Sequence, residues 1–156
     1  MTFALDLSKA IEKAKDKAEL AVRHIAIDLF NGVIEMSPVA HPPSWKSVIE
    51  WEARKAAGTT KAKSPADGYI GGHFRRNWNC SIGSPDLSTT DETDASGSIA
   101  KAKVNAVVMS YTLNGQSIFL CNSLEYAQAL EEGHSGQAPV GMVRVSIARM
   151  NAHGYV

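Results

Sequence analysis

A chain of 156 residues with 44% hydrophobic content is long enough for one domain with a buried core. Lys+Arg and Asp+Glu both number 16, so the formal net charge is zero, without the basic excess of a dedicated nucleic-acid binder. No apolar run approaches the roughly 20 residues that span a bilayer, and Asp6 stands where a secretory leader carries positive charge, so the sequence reads as a protein made and kept in a cytosol.

Residues 7–36 read as one long helix. Ile11, Ala14, Ala18, Ala21, Val22, Ile25, Leu29, Val33 and Met36 recur at the three-four spacing of a single buried stripe. Asp6 or Ser8 is a natural N-cap. The first half is rich in Lys and Ala with a thin apolar face, whereas 25–34 is apolar nearly all round. The second half is therefore expected in the core, with the first half projecting or meeting a neighbour. Pro38 ends the helix, because proline lacks an N–H and restricts the residue before it.

Residues 40–68 differ in character and read as an insertion within a single domain spanning 1–156. His41-Pro42-Pro43 breaks the helix. A short helix is expected over 45–57, with Ser47 and Glu50 as a capping box or Ser44 capping an earlier start, and Gly58 as its C′ residue. The following run to Gly68, rich in Gly, Thr, Lys, Ser and Pro, reads as a mobile loop. Gly71-Gly72-His73 then reads as a hinge into a strand beginning at Phe74, in which Trp78, Cys80 and Ile82 alternate with Asn77, Asn79 and Ser81.

Gly83-Ser84-Pro85 stops that strand, and 86–98 is an acidic polar loop. Ala100, Val104, Val107, Val108 and Tyr111 are spaced for a helix, against the β preference of the valines. Asn114-Gly115 is a turn signal. A short buried strand over 118–121 and a short helix over 124–130 closed by Gly133 follow. Over 138–150, Val143, Val145 and Ile147 alternate like a strand while Met142, Val143, Ser146, Ile147 and Met150 fit a helical face, and the helix is the preferred reading.

Chemistry is sparse. The five histidines form neither H-x-x-x-H nor H-E-x-x-H, and phosphate-binding glycine loops and a nucleophile elbow are absent. Glu131 and Glu132 are adjacent and leave a helix in different directions, a poor geometry for paired acid–base work. Cys80 and Cys121 lack metal-type spacing and read as buried, reduced thiols. The reading is a non-enzyme without cofactor or metal. Between 40 and 76, seven cations (Lys46, Arg54, Lys55, Lys61, Lys63, Arg75, Arg76) face three carboxylates, with Trp45 and Trp51 among them. This is either a surface toward DNA phosphates or a protein interface, since Trp and Arg favour both. Trp45, Trp51, Arg54, Lys55, Arg75 and Arg76 are its candidate contact residues.

Three stretches go further. The first leads from Asp6-Leu7-Ser8-Lys9 through the helix to Ser37-Pro38-Val39. The second is Gly72-His73-Phe74-Arg75-Arg76-Asn77-Trp78 with Ser81-Ile82-Gly83. The third runs from Ile118-Phe119-Leu120-Cys121-Asn122-Ser123-Leu124-Glu125-Tyr126-Ala127 through Leu130-Glu131-Glu132-Gly133 to Gln137-Ala138-Pro139-Val140-Gly141-Met142-Val143-Arg144. In this order they resemble the tail-completion (neck, or head–tail joining) proteins of tailed bacteriophages. The family pattern is a helix ending in S-P-V-D-T-G, then F-R-x-N-W, I-x-N-x-L-P-Y-A, L-E-x-G and A-P-x-G-M-V-R. Three departures stand out: Ala40 follows Val39, with the insertion before Phe74; Glu125 replaces the usual proline; and the C-terminal helix reads as short, ending at His153-Gly154.

The resemblance implies a virion structural protein at the head–tail junction. It would form a closed homo-oligomeric ring, sixfold or otherwise matching the neck, beside connector, neck and tail proteins, near DNA in the channel and away from membranes. The expected fold is α+β, with the long N-terminal helix packed on a small mixed or antiparallel sheet and shorter C-terminal helices. Pro38, Phe74, Asn77, Trp78, Asn122, Tyr126, Gly133, Pro139 and Gly141 are its fold-motif residues. Trp78, Ile82, Ile118, Leu120, Tyr126 and Leu130 are expected in the core, with Asn77 and Asn122 bonding nearby backbone.

Overall fold

The apolar stripe of the first segment folds as α1 (Phe3–Met36), the longest element of a computed structural model that describes residues 3–152 and Gly154. The helix begins earlier than its cap signals suggest. Asp6 and Ser8 lie inside it, so neither is the N-cap. It stops two residues short of Pro38. Ser37 closes it, its N–H donating to Ile34 O at 3.2 Å and its hydroxyl to Val33 O at 2.8 Å. The two halves differ as the stripe implies. Val33 and Ile34 are fully buried, whereas residues 6–18 are exposed throughout. At 1.5 Å per residue that exposed stretch is about 20 Å long. The helix meets the body where Arg23 Nε donates to Tyr111 O at 2.8 Å and Glu19 accepts the Leu113 N–H at 2.7 Å.

The remaining elements are a 3-10 turn (Pro42–Ser44), α2 (Lys46–Ala56), α3 (His73–Arg76), β1 (Asn79–Ile82), α4 (Ser98–Met109), β2 (Ile118–Cys121), α5 (Ala127–Glu131) and α6 (Val143–Ala152). β1 and β2 form a two-stranded antiparallel sheet with Asn79 opposite Cys121 and Ile82 opposite Ile118. The fold is α+β, with the long helix, small sheet and short C-terminal helices that the sequence implies. Ala100, Val104 and Val108 recur every four residues on α4, and each is fully buried. They form the seam with Val33, Ile34, Phe74, Trp78 and Met142 at the centre of the core.

Several expectations are corrected. Phe74 is in α3, not a strand, because Phe74 and Trp78 lie four residues apart and share the buried side of a turn. Gly72 is no hinge: its carbonyl accepts the N–H groups of Arg76 at 3.0 Å and Asp94 at 3.2 Å. β2 is half-buried rather than buried, as are Ile82, Ile118, Leu120 and Leu130. Tyr126 is 42% exposed and precedes α5 as its N-cap residue, so it is not a core anchor. The Ser47–Glu50 capping box does not form. Trp45 is the N-cap residue of α2, without a side-chain cap, and Glu50 turns to Lys46 and Arg54 instead. The alternative cap, the Ser44 side chain, and His153 lie outside what the structure describes. Among the described residues no helix is long and apolar enough to cross a membrane.

Candidate functional site

The resembling motifs converge on a set of clasps that tie irregular backbone to helix ends. Ser37, fully buried, accepts the Trp78 indole N–H at 2.8 Å while donating to Val33 O. Arg75 sends Nε to Ser37 O at 2.9 Å, Nη2 to Glu35 O at 2.8 Å and Nη1 to Ala95 O at 2.8 Å. It thereby satisfies carbonyls at the C-terminal end of α1, where helices leave acceptors unpaired and cations are favoured. Buried Asn77 donates to His73 O at 2.8 Å and Thr90 O at 2.9 Å, and accepts the Thr90 N–H at 2.8 Å. Asn122 donates to Phe74 O at 2.9 Å and accepts the Leu124 N–H at 3.3 Å. Both asparagines thus bond backbone beside the strands, as their types and positions suggest.

The third motif is one clasp between α5 and α6. Glu131 Oε2 accepts the N–H groups of Met142 and Val143, both at 2.9 Å, and Oε1 accepts the Arg144 N–H at 3.0 Å. The carboxylate therefore caps the N-terminus of α6, where negative charge is favoured. Two glycines make the close approach possible. A Cβ on Gly133 would lie 2.4 Å from Pro139 O, and one on Gly141 2.4 Å from Glu131 O; both glycines have positive φ. Desolvation pulls the Glu131 carboxyl up, but the N–H groups of Val143, Arg144 and Met142 and the Arg144 side chain together hold it below its ordinary value.

Asp94 does the same for α4, accepting the Ile99 N–H at 2.8 Å and the Ala100 N–H at 3.0 Å. Desolvation again raises its pKa, and the bonds from Ala100, Ser96, Ile99 and Gly97 outweigh it. The 86–98 segment is thus a capping element as well as an acidic loop.

A hollow of about 320 Å³ opens between Pro38, Tyr69, His73, Phe74, Tyr126 and His134. Within it His73 Nε2 lies 2.9 Å from Thr90 O and Nδ1 lies 2.9 Å from the Tyr126 hydroxyl. A carbonyl can only accept, so Nε2 carries a proton, and in the neutral ring Nδ1 is then the acceptor for the tyrosine hydroxyl. Both ring nitrogens are thereby spent on a cross-link between α3, the 86–98 segment and the start of α5. Phe74 of α3 also reaches the start of α5, its ring 5.8 Å from that of Trp78 and 5.9 Å from that of Tyr126.

No protein-family model, curated protein or solved structure matches the chain.

The insertion gathers the candidate contact residues incompletely. Trp45 packs edge-on against Tyr69, with ring centroids 4.7 Å apart, and Val48 is buried. Trp51 donates to Ala62 O at 2.9 Å, and the Lys55 ammonium sits 4.8 Å from its ring centroid. Both indoles are therefore engaged by the chain that returns from α2, Trp45 by Tyr69 and Trp51 by Ala62. The loop to Gly68 turns back through Asp67 N–H to Ser64 O at 2.9 Å and Tyr69 N–H to Ala66 O at 3.0 Å. Arg54 is on the surface with Glu50, 3.6 Å away. Arg75 and Arg76 lie apart from this cluster. Arg76 pairs with Glu92, and its Nε and Nη1 are buried with no partner among the described residues. Ile49 of the insertion is 53% exposed, and Tyr69 at 41% and Ile70 at 67% follow directly after it.

Cys80 and Cys121 are free and half-buried. Cys121 stands opposite Asn79, so period-two alternation puts Cys80 on the other face of the sheet. Burial, then the neighbouring Cys121, pushes the Cys80 thiol up to about 11. Among the described residues no group of three or more His, Cys, Asp or Glu is arranged to hold a metal ion.

Proposed function

We propose that the chain is a non-enzymatic virion protein at the head–tail junction of a tailed bacteriophage. One copy belongs to a symmetric ring that completes the tail or joins it to the head. The observation that carries this reading is the ordered set of motifs, from Ser37-Pro38-Val39 through Phe74-Arg75-Arg76-Asn77-Trp78 to Ala138-Pro139-Val140-Gly141-Met142-Val143-Arg144. Their chemistry supports it. The polar motif residues Ser37, Arg75, Asn77, Asn122 and Glu131 are engaged in fastening backbone, which is the use expected of motifs that define a building block.

The surface offers what assembly needs. The exposed half of α1 presents Leu7 and Ile11, each 49% exposed, and the insertion presents Ile49, with Ile70 just beyond it. Connector, neck and tail proteins and further copies of the chain are the partners in this reading. Contact with DNA has less support. With Arg75 and Arg76 engaged elsewhere, the insertion keeps Lys46, Arg54, Lys55, Lys61 and Lys63, and three of these already pair with Glu50 or Asp67.

The test is disruption of the gene in its phage, with restoration from a plasmid. Electron microscopy of the lysate should show DNA-filled heads and free tails, joined again on complementation. Normal virions without the protein would overturn the reading.

A further inference from the structure

Two helical faces are left open, and they match. The first belongs to α6. Its inner side packs on α1, with Ser146 and Met150 buried and the Ser146 hydroxyl 3.7 Å from Met36 Sδ. Val145, Ala148, Arg149 and Ala152 follow at the three-four spacing of one face, turned away from that side. With Val140 and Arg144 they line a shallow apolar hollow of about 460 Å³, in which Val140 is 63% exposed. Arg144 is held by Glu131, its Nε 3.4 Å from Oε1. Arg149 is exposed at the rim and has no partner among the described residues. The second face belongs to α2. Its inner side carries buried Val48, and Trp51, which donates to Ala62 O. Ile49, Ala53 and Ala56 succeed one another by a turn and are exposed on the outer side. Glu50 is held by Lys46 and Arg54. Glu52, beside the ridge, is exposed and has no partner among the described residues.

We infer that the α6 hollow is a docking site for α2 of a second copy of this chain, with Ile49, Ala53 and Ala56 on the apolar floor and Glu52 against Arg149. An apolar floor with an unpaired cation at its rim fits an apolar ridge with an unpaired carboxylate at its side. The exposed half of α1 offers another apolar stripe, Leu7, Ile11, Ala14 and Ala18, but Lys15 and Lys17 flank it and would repel Arg149. α2 does not serve the α6 of its own chain, because both faces stand exposed in the one molecule. The contact therefore joins two copies through different surfaces. Each copy gives α2 once and α6 once. Such a contact is heterologous, and it closes into a ring or runs on as a filament. Closure into a ring rests on the proposed function. The contact itself rests on the two open faces.

The test is a charge exchange at these two exposed positions, where neither change disturbs the core. Sedimentation velocity across a concentration series should show the wild type associating. Glu52→Arg and Arg149→Glu should each weaken association by about a hundredfold, because like charges then meet in the contact. The double variant Glu52→Arg, Arg149→Glu restores opposite charges and should associate to within about tenfold of the wild type. A second readout uses Arg149→Lys, which keeps the charge: a zero-length carbodiimide cross-link should join Glu52 of one copy to position 149 of another. A wild-type ring that persists in both single variants, or that the exchange does not restore, would overturn the inference and leave the proposed function standing. Association that is lost in the single variants and restored by the exchange, but never closes into a ring, would uphold the contact and count against the ring. A wild-type chain that stays monomeric at every concentration, with no cross-link in Arg149→Lys, would overturn both the contact and self-assembly into a ring.

Discussion

Trp78 shows how one motif residue serves both packing and polarity. Its ring lies in the core at 6% exposure, and its N–H finds the Ser37 hydroxyl. Trp78→Ala leaves a large cavity and removes the donor, with an expected cost of about 3–5 kcal/mol. Against a total stability of roughly 5–15 kcal/mol, that is enough to abolish or sharply lower the melting transition. Tyr126 is the contrast. Being 42% exposed, it contributes mainly through its bond to His73. Tyr126→Phe should cost about 0.5–1.5 kcal/mol by urea titration. A loss as large as that of Trp78→Ala would contradict its position at the surface. The thiols give a further check. With Cys80 and Cys121 on opposite faces of the sheet, both should titrate as free in denatured protein kept from air. In the folded protein at neutral pH, Cys80 should react slowly, its thiol being pushed up to about 11.

The carboxylates of Asp94 and Glu131 carry a pH dependence. Both have folded-state pKa values lowered from the ordinary carboxylate range. Their contribution is therefore complete above that range and is lost as pH falls through the folded values. Thermal melts of the wild type should drop as the solution is acidified below the ordinary carboxylate range. The double variant Asp94→Asn, Glu131→Gln should be less stable at neutral pH and flatter over that acid limb. Parallel acid limbs in the two proteins would mean that other groups govern acid unfolding.

At the scale of elements, the parts that were legible in the sequence are those whose cause is periodic. The 25–34 half of α1, the Ala100, Val104 and Val108 row of α4, and the short β2 strand all follow from spacing. What stayed hidden depends on partners distant in the chain. Asp94 lies in a polar run and reads as solvated loop until the start of α4 folds against it. Glu131 reads as half of an unpromising acid pair, yet it caps a helix that begins twelve residues later at Val143. Phe74 and Trp78 fit a strand's alternation and a helical turn equally well, and the core chose the turn. Among the candidate contact residues, Trp45 and Trp51 were legible as a cluster, but their partners Tyr69 and Ala62 come from the returning loop. The insertion packs mainly on itself, α2 lying against the Pro42–Ser44 turn. Shortening residues 44–66 to a brief linker should therefore leave the melting transition of the body nearly unchanged while abolishing particle assembly. Unfolding of the trimmed protein would place the segment in the core, and normal assembly would make it dispensable.

For the whole molecule, a half-exposed helix, a self-packed insertion and a two-stranded ribbon surround one small core. A subunit embedded among neighbours can leave such surfaces uncovered until assembly, whereas a solitary domain gains nothing from them. The proposed function puts this chain at the head–tail junction. The most direct measurement is gold labelling of an epitope-tagged chain in purified infectious virions, viewed by electron microscopy. The label should fall at the head–tail junction of intact particles. Label confined to the capsid or distributed along the tail shaft, or an epitope absent from infectious particles altogether, would contradict it.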